Sequence, residues 1–95
     1  NPKELRSLAD EFKKKIESGI VILCGINDGK AFLTVTMTDD VSEKFDAVGL
    51  VNVGSAELGG TGGGGRRTMA QAGGPNAEKA NDALKAIESE IAKIA

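Results

Sequence analysis

Two adjacent arginines stand in a run that is otherwise almost bare: GGTGGGGRRTMAQAGG, Gly59 to Gly74, where ten of sixteen residues are Gly or Ala. Consecutive glycines can turn backbone N–H groups outward with no Cβ in the way, and such concavities bind anions. Arg66 adds a planar fork that matches phosphate or carboxylate. A second pair, Gly73-Gly74, precedes an expected helix start, another natural anion site. Gln71 can both donate and accept hydrogen bonds. The chemistry in view is therefore anion binding, although the same residues also fit a surface loop whose arginines serve solubility.

Nucleotide loops of known mechanics fit poorly. Gly60, Gly62 and Gly65 satisfy G-x-G-x-x-G, but the dinucleotide fingerprint needs a strand before it and a helix directly after. Here a helix is expected before it, and RRTMAQA follows. A P-loop needs Gly-Lys-Ser/Thr, and Gly65-Arg66-Arg67-Thr68 is not that.

The rest of the chain narrows the chemistry further. Its 95 residues suit one domain, residues 1–95, and 40% hydrophobic with 27% charged residues is an ordinary globular composition. There is no His, so the commonest general base and zinc ligand is missing, and one Cys cannot make a Cys-rich metal site. No catalytic or metal-ligating set is therefore assigned. Cys24 sits in IVILCGI and reads as a small buried hydrophobe. Net charge is −2 and only Phe12, Phe32 and Phe45 are aromatic, so any nucleic-acid contact must be local and shaped rather than a general basic coat. No apolar run approaches the roughly 20 residues that span a bilayer, and the opening residues carry no signal-peptide core. A cytoplasmic setting with no membrane partner is expected.

The positioning elements are expected as follows. NPKELRSLADEFKKKIESG reads as a helix, with Asn1 as cap, Pro2 in the first turn, Glu4 completing a capping box and Gly19 at the C′ position. Leu5, Leu8, Phe12 and Ile16 share its apolar face. Lys13, Lys14 and Lys15 complement the helix dipole and form a solvated face or a phosphate contact. IVILCGI reads as a strand buried on both sides, Asp28-Gly29 as a hairpin turn, and AFLTVTMT as a half-exposed strand with Leu33, Val35 and Met37 inward and Thr34, Thr36 and Thr38 outward. A helix is expected from Phe45 to Leu58, with Ala47, Leu50, Val51, Gly54 and Leu58 on one face. RTMAQA should form a short strand, with Met69 in the core. A last helix starts at Pro75 and Asn76, with Ala77, Ala80, Leu84, Ile87, Ile91 and Ile94 in a stripe that packs on the sheet or serves a coiled-coil seam. The fold class is α/β in the α+β sense: a small mixed β-sheet flanked by helices, in the order α-β-β-α-β-α.

The glycine run resembles the signature of the DHH-associated domain near the C-terminus of alanyl-tRNA synthetases, typically close to GGKGGGRPDMAQAGG. LRSLADEFKKKIESGIVILCG resembles the opening helix and first strand of that domain, so the likeness spans essentially the whole chain. Gly63, Gly64, Gly65, Arg66, Met69, Ala70, Gln71, Gly73 and Gly74 match the signature. The family's lysine is replaced by Thr61 or Gly62, and its Pro-Asp by Arg67-Thr68. The resemblance implies the C-terminal segment of a longer ligase that joins alanine to its tRNA with ATP and edits mischarged seryl- and glycyl-tRNA. Zinc and ATP/magnesium would belong to other domains, leaving no cofactor here. The implied partners are tRNA, the other domains of the synthetase, and a second copy through a helical region. The implied RNA-binding set is Gly63, Gly64, Gly65, Arg66, Arg67, Gln71, Gly73 and Gly74. Two other functions remain open at this point: the substrate-binding domain of a DHH-type phosphoesterase acting on short nucleotides, and a purely structural or dimerisation module.

Overall fold

Asp28 and Gly29 both take left-handed backbone angles, with φ of 53° and 75°. That is the geometry of a two-residue hairpin turn whose twist suits the strands it joins. In the computed structural model, which describes residues 2–94, this turn links β1 (Ile20–Asn27) to β2 (Lys30–Met37). Around the hairpin lie α1 (Pro2–Lys15), α2 (Ala47–Glu57), β3 (Gly64–Arg66), β4 (Met69–Gly74) and α3 (Ala80–Ile94), with short 3-10 turns at Val41–Glu43 and Ala77–Lys79. The expected class and order of elements hold, with one addition: the glycine run contains its own strand, β3. The sheet runs β1-β2-β4-β3. It was expected to mix directions, and all three pairings are antiparallel.

Strand position decides burial, and it inverts the sequence reading of the hairpin. The apolar run of β1 forms an edge strand, half-buried from Ile20 to Gly25, with Ile26 61% exposed. The alternating β2 is central and buried on both faces. Ala31, Leu33, Val35 and Met37 lie in the core shared with α2 and α3, and Thr34 and Thr36 on the other face are equally closed to solvent. Buried hydroxyls are tolerable when they are bonded. Thr36 Oγ1 donates to the Thr68 carbonyl (3.1 Å), and Thr34 Oγ1 accepts from Gln71 Nε2 (3.2 Å).

The helices occupy opposite faces. α2 and α3 lie side by side over the Leu33 face. The expected inner face of α2 is correct: Ala47, Leu50, Val51, Gly54 and Leu58 are all buried. The helix starts two residues later than expected because Asp46 caps it, accepting from the Val48 N–H at 3.0 Å. Gly54 serves close packing: a Cβ there would lie 2.4 Å from Leu33 Cδ1 and 2.8 Å from Ile87 Cδ1. α3 begins at Ala80 rather than Pro75, after the 3-10 turn. Its apolar stripe, centred on Ala83 and Ile87, faces mainly α2. The side chain of Ile94 and the Asn1 cap with its box to Glu4 lie outside the described residues.

α1 covers β1 and β2 on the opposite face. It settles through the small Ala9, which is fully buried, so Leu8 and Phe12, expected inside, stay 44% and 42% exposed. The helix ends at Lys15, so Gly19 is not its C′ residue. Gly19 instead closes the sheet's end, its N–H donating to Thr38 Oγ1 and its carbonyl accepting from the Thr38 N–H.

Cys24 is half-buried on β1, and burial pushes its thiol above the usual range. Less thiolate at a given pH means slower alkylation. Iodoacetamide at pH 7.5 should label the native protein several-fold more slowly than the denatured chain. Equal rates would show that the edge strand does not shield this sulfur.

Candidate RNA-contact face

α1 packs mainly on β1 and β2, leaving the same face of the sheet at least partly exposed at Gln71, Gly73, Gly64 and Arg66. Side chains alternate along a strand, so the register names what that open face carries. Thr34 pairs with Gln71, Phe32 with Gly73, Gln71 with Gly64, and Met69 with Arg66. Lys30, Phe32, Gln71, Gly73, Gly64 and Arg66 therefore share one surface. Lys30 and Arg66 mark its two ends, and between them Phe32, Gln71 and the buried Met69 stand beside the bare Gly73 and Gly64. A cavity of about 530 Å³ opens at the Lys30 end, bounded by Lys30, Phe32, Gly62, Gly63, Gln71 and Gly73, with Leu33, Ala72, Gly74 and Pro75 completing it. No carboxylate lines it.

The sequence-based site residues divide. Gly63, Gln71, Gly73 and Gly74 line the cavity. Gly64 lies beside Gln71 with open space where a Cβ would stand. Gly65 points to the other face, where a Cβ would come within 2.3 Å of the Met69 carbonyl. Arg66 is exposed at the far end. Arg67 turns away: its Nε donates to the Ser42 carbonyl at 2.8 Å, and its own carbonyl accepts from the Ala47 N–H at 2.9 Å. It ties the β3–β4 turn to the start of α2.

Two expectations are corrected. The loop amides do not form an outward cradle. The Gly62 N–H donates to Ser55 Oγ (3.1 Å), the Gly63 N–H to Asn52 Oδ1 (2.9 Å), and the Gly60 N–H to the Ser55 carbonyl (2.9 Å). Asn52 and Ser55 sit three residues apart on α2, one face of a helix, and they draw the loop's donors inward. Gly73-Gly74 is also not poised at a helix N-terminus, because it ends β4 opposite Phe32 and Ala31. Its bareness serves contact: a Cβ on Gly74 would stand 2.5 Å from the Leu58 carbonyl.

Lys30, Phe32, Asn52 and Ser55 were not singled out for the site. The polar pair at i, i+3 just before a glycine run was visible in the sequence. Lys30 and Phe32 could be placed only with the strand order known. The lysines at the end of α1 lie elsewhere, and the hollow that Lys13 and Lys14 line includes Asp10 and Asp39. Among the described residues, no three of His, Cys, Asp and Glu gather as a metal site, and no helix is long and apolar enough to cross a membrane.

Comparison with known proteins agrees with the fold. The sequence pattern of the DHHA1 domain matches residues 1–93. The alanine–tRNA ligase of Parvibaculum lavamentivorans is 52% identical over 96 residues, covering 100% of this chain and 11% of that protein. The alanine–tRNA ligase of Hyphomonas neptunium is 53% identical over 89 residues, covering 94% of this chain and 10% of that protein. The chain thus spans about a tenth of the length of the curated relatives it matches. Among solved structures, the C-Ala domain from Aquifex aeolicus alanyl-tRNA synthetase superposes with a TM-score of 0.86 at 29% identity, covering 94% of this chain and 79% of that one.

Proposed function

We propose that this chain, which belongs to the DHHA1 domain family, is the tRNA-binding C-terminal domain of an alanine–tRNA ligase and has no chemistry of its own. The similarity to alanine–tRNA ligases along nearly the whole chain supports the parent enzyme. The observation that carries the binding role is the half-sheet that α1 covers least, with a cation at each end and Gly73 and Gly64 beside Phe32 and Gln71 between them. Bare glycine positions admit a bulky, curved backbone, and separated cations meet separate phosphates. Folded RNA is read largely by shape and by phosphate and 2′-OH contacts, which suits a face with few base-reading groups.

Within this reading the guanidinium of Arg66 holds a phosphate, and Arg67 holds the turn that presents it. The domain would work tethered to its ligase, where effective concentration makes up for the weak affinity expected of a chain with net charge −2. Phosphate contacts release counterions, so each one adds about one unit to the logarithmic salt dependence of affinity. In a salt titration of tRNA binding, Arg66→Ala should lower that slope by about one unit. Arg67→Ala should change it less, and should instead lower the melting temperature through the lost bond to Ser42. An unchanged slope in Arg66→Ala would remove the arginine from the interface.

A further inference from the structure

The cavity at the Lys30 end has a chemistry that the phosphate contact at Arg66 does not use. Its volume of about 530 Å³ falls in the range of sites that hold small molecules. Its floor is apolar. Phe32 lies across from Gly73, and a Cβ on Gly73 would sit 3.3 Å from Phe32 Cδ1 and 2.8 Å from the Ala31 carbonyl. The bare strand thus lets a half-exposed phenyl ring settle beside it. The wall formed by Gly62 and Gly63 is main chain only. The polarity is one-sided: Lys30 is exposed, and among the described residues its ammonium makes no ion pair. Two residues apart on one face of β2, Lys30 and Phe32 stand about 7 Å apart along the strand. That separation is comparable to the one between the base and the phosphate of a single nucleotide.

We infer that this cavity seats one nucleotide, its base against Phe32 and its phosphate on Lys30. Aromatic side chains stack on any base without reading its edge, and a lysine on a flexible stem holds phosphate as a point charge. The inference rests on the RNA-contact reading of the same face. The nucleotide belongs either to an unstacked position of an RNA or to a free mononucleotide, and the experiment separates the two.

The test is an NMR titration of the isotope-labelled chain with adenosine 5′-monophosphate, ribose 5-phosphate and a tRNA transcript, beside tRNA affinities of variants. Adenosine 5′-monophosphate is expected to move the Phe32 ring signals and the Gly62, Gly63 and Gly73 amides, and ribose 5-phosphate to leave the ring unmoved. Lys30→Ala, at the exposed first residue of β2 where folding is not at stake, should weaken both the mononucleotide and tRNA several-fold, with Lys30→Arg restoring most of the loss. Phe32→Leu should weaken tRNA about tenfold, as expected for one lost stacking contact. If Arg66→Ala weakens tRNA while Lys30→Ala and Phe32→Leu do not, the nucleotide seat is overturned and the RNA reading stands. If cavity signals move with the mononucleotide but tRNA does not bind, the seat stands for a free nucleotide and the RNA reading fails. Silence of the cavity toward all three ligands, or equal ring shifts from ribose 5-phosphate, overturns the seat.

Discussion

Gly63→Ala should cost this protein about 3 kcal/mol, the upper end of what overpacking imposes. A Cβ at position 63 would stand 2.0 Å from the Gln71 carbonyl oxygen and 2.7 Å from Ala72 Cα. Both are main-chain atoms of β4, so no side-chain rotation relieves the clash. The loop must lift from the strand, breaking the bond from the Gly63 N–H to Asn52. For a domain of this size such a loss lowers the melting temperature by roughly 15 °C. The neighbouring position supplies the control. Nothing lies within 4 Å of a Cβ at Gly64, so Gly64→Ala should leave the melting temperature unchanged or raise it slightly, since alanine restricts the unfolded chain. Gly64 is on the open face beside Gln71, so the same methyl should weaken tRNA binding if RNA approaches there. Circular dichroism melts and one binding assay check the pair. Equal melting temperatures for the two variants would refute the packing account of the loop.

This contrast explains why the glycine run was legible as important while its purpose was not. A glycine required by an inward clash and a glycine that clears space for a partner look identical in sequence. Gly60 and Gly63 are the first kind, and Gly64 meets no such clash. The register distinguishes them, and the register depends on β3, a three-residue strand with no β-forming side chains to announce it. The hairpin was readable because Asp28-Gly29 has a specific turn chemistry. The burial of its two strands was not, because neighbours decide burial: eight residues of IVILCGIN became an edge and KAFLTVTM the centre. α2 was readable by its apolar spacing despite valines and glycines, since tertiary packing overrode propensity. The face of α1 was misjudged because periodicity weights large residues, whereas the helix docks through Ala9. Arg66 and Arg67 are adjacent in sequence and differ in placement, Arg66 exposed on β3 and Arg67, in the turn after it, bonded to the Ser42 carbonyl.

The second large effect is expected at a residue with neither charge nor glycine character. Ser55 is fully buried near the end of α2. Its hydroxyl donates to the Gly73 carbonyl at 2.8 Å and accepts from the Gly62 N–H at 3.1 Å. One oxygen thus joins helix, loop and β4, and it fixes both the wall and the floor of the cavity. Ser55→Ala removes it and leaves a part-buried donor and a part-buried acceptor without that partner. Each unsatisfied group costs about 1–3 kcal/mol, so a loss of about 3 kcal/mol is expected, comparable to Gly63→Ala and reached by an opposite route, a missing atom rather than an extra one. Asn52→Ala should cost less, about 1 kcal/mol, because Asn52 is exposed and water can replace it. The two side chains hold successive amides of one loop, so their effects should not add: once Ser55 is gone the loop is already loose, and removing Asn52 should change little. A double-mutant cycle reads this directly as a coupling above the roughly 0.5 kcal/mol seen between independent sites. Simple additivity would mean that Gly62 and Gly63 are held separately, and that the loop does not move as the single unit on which the shape of the open face depends.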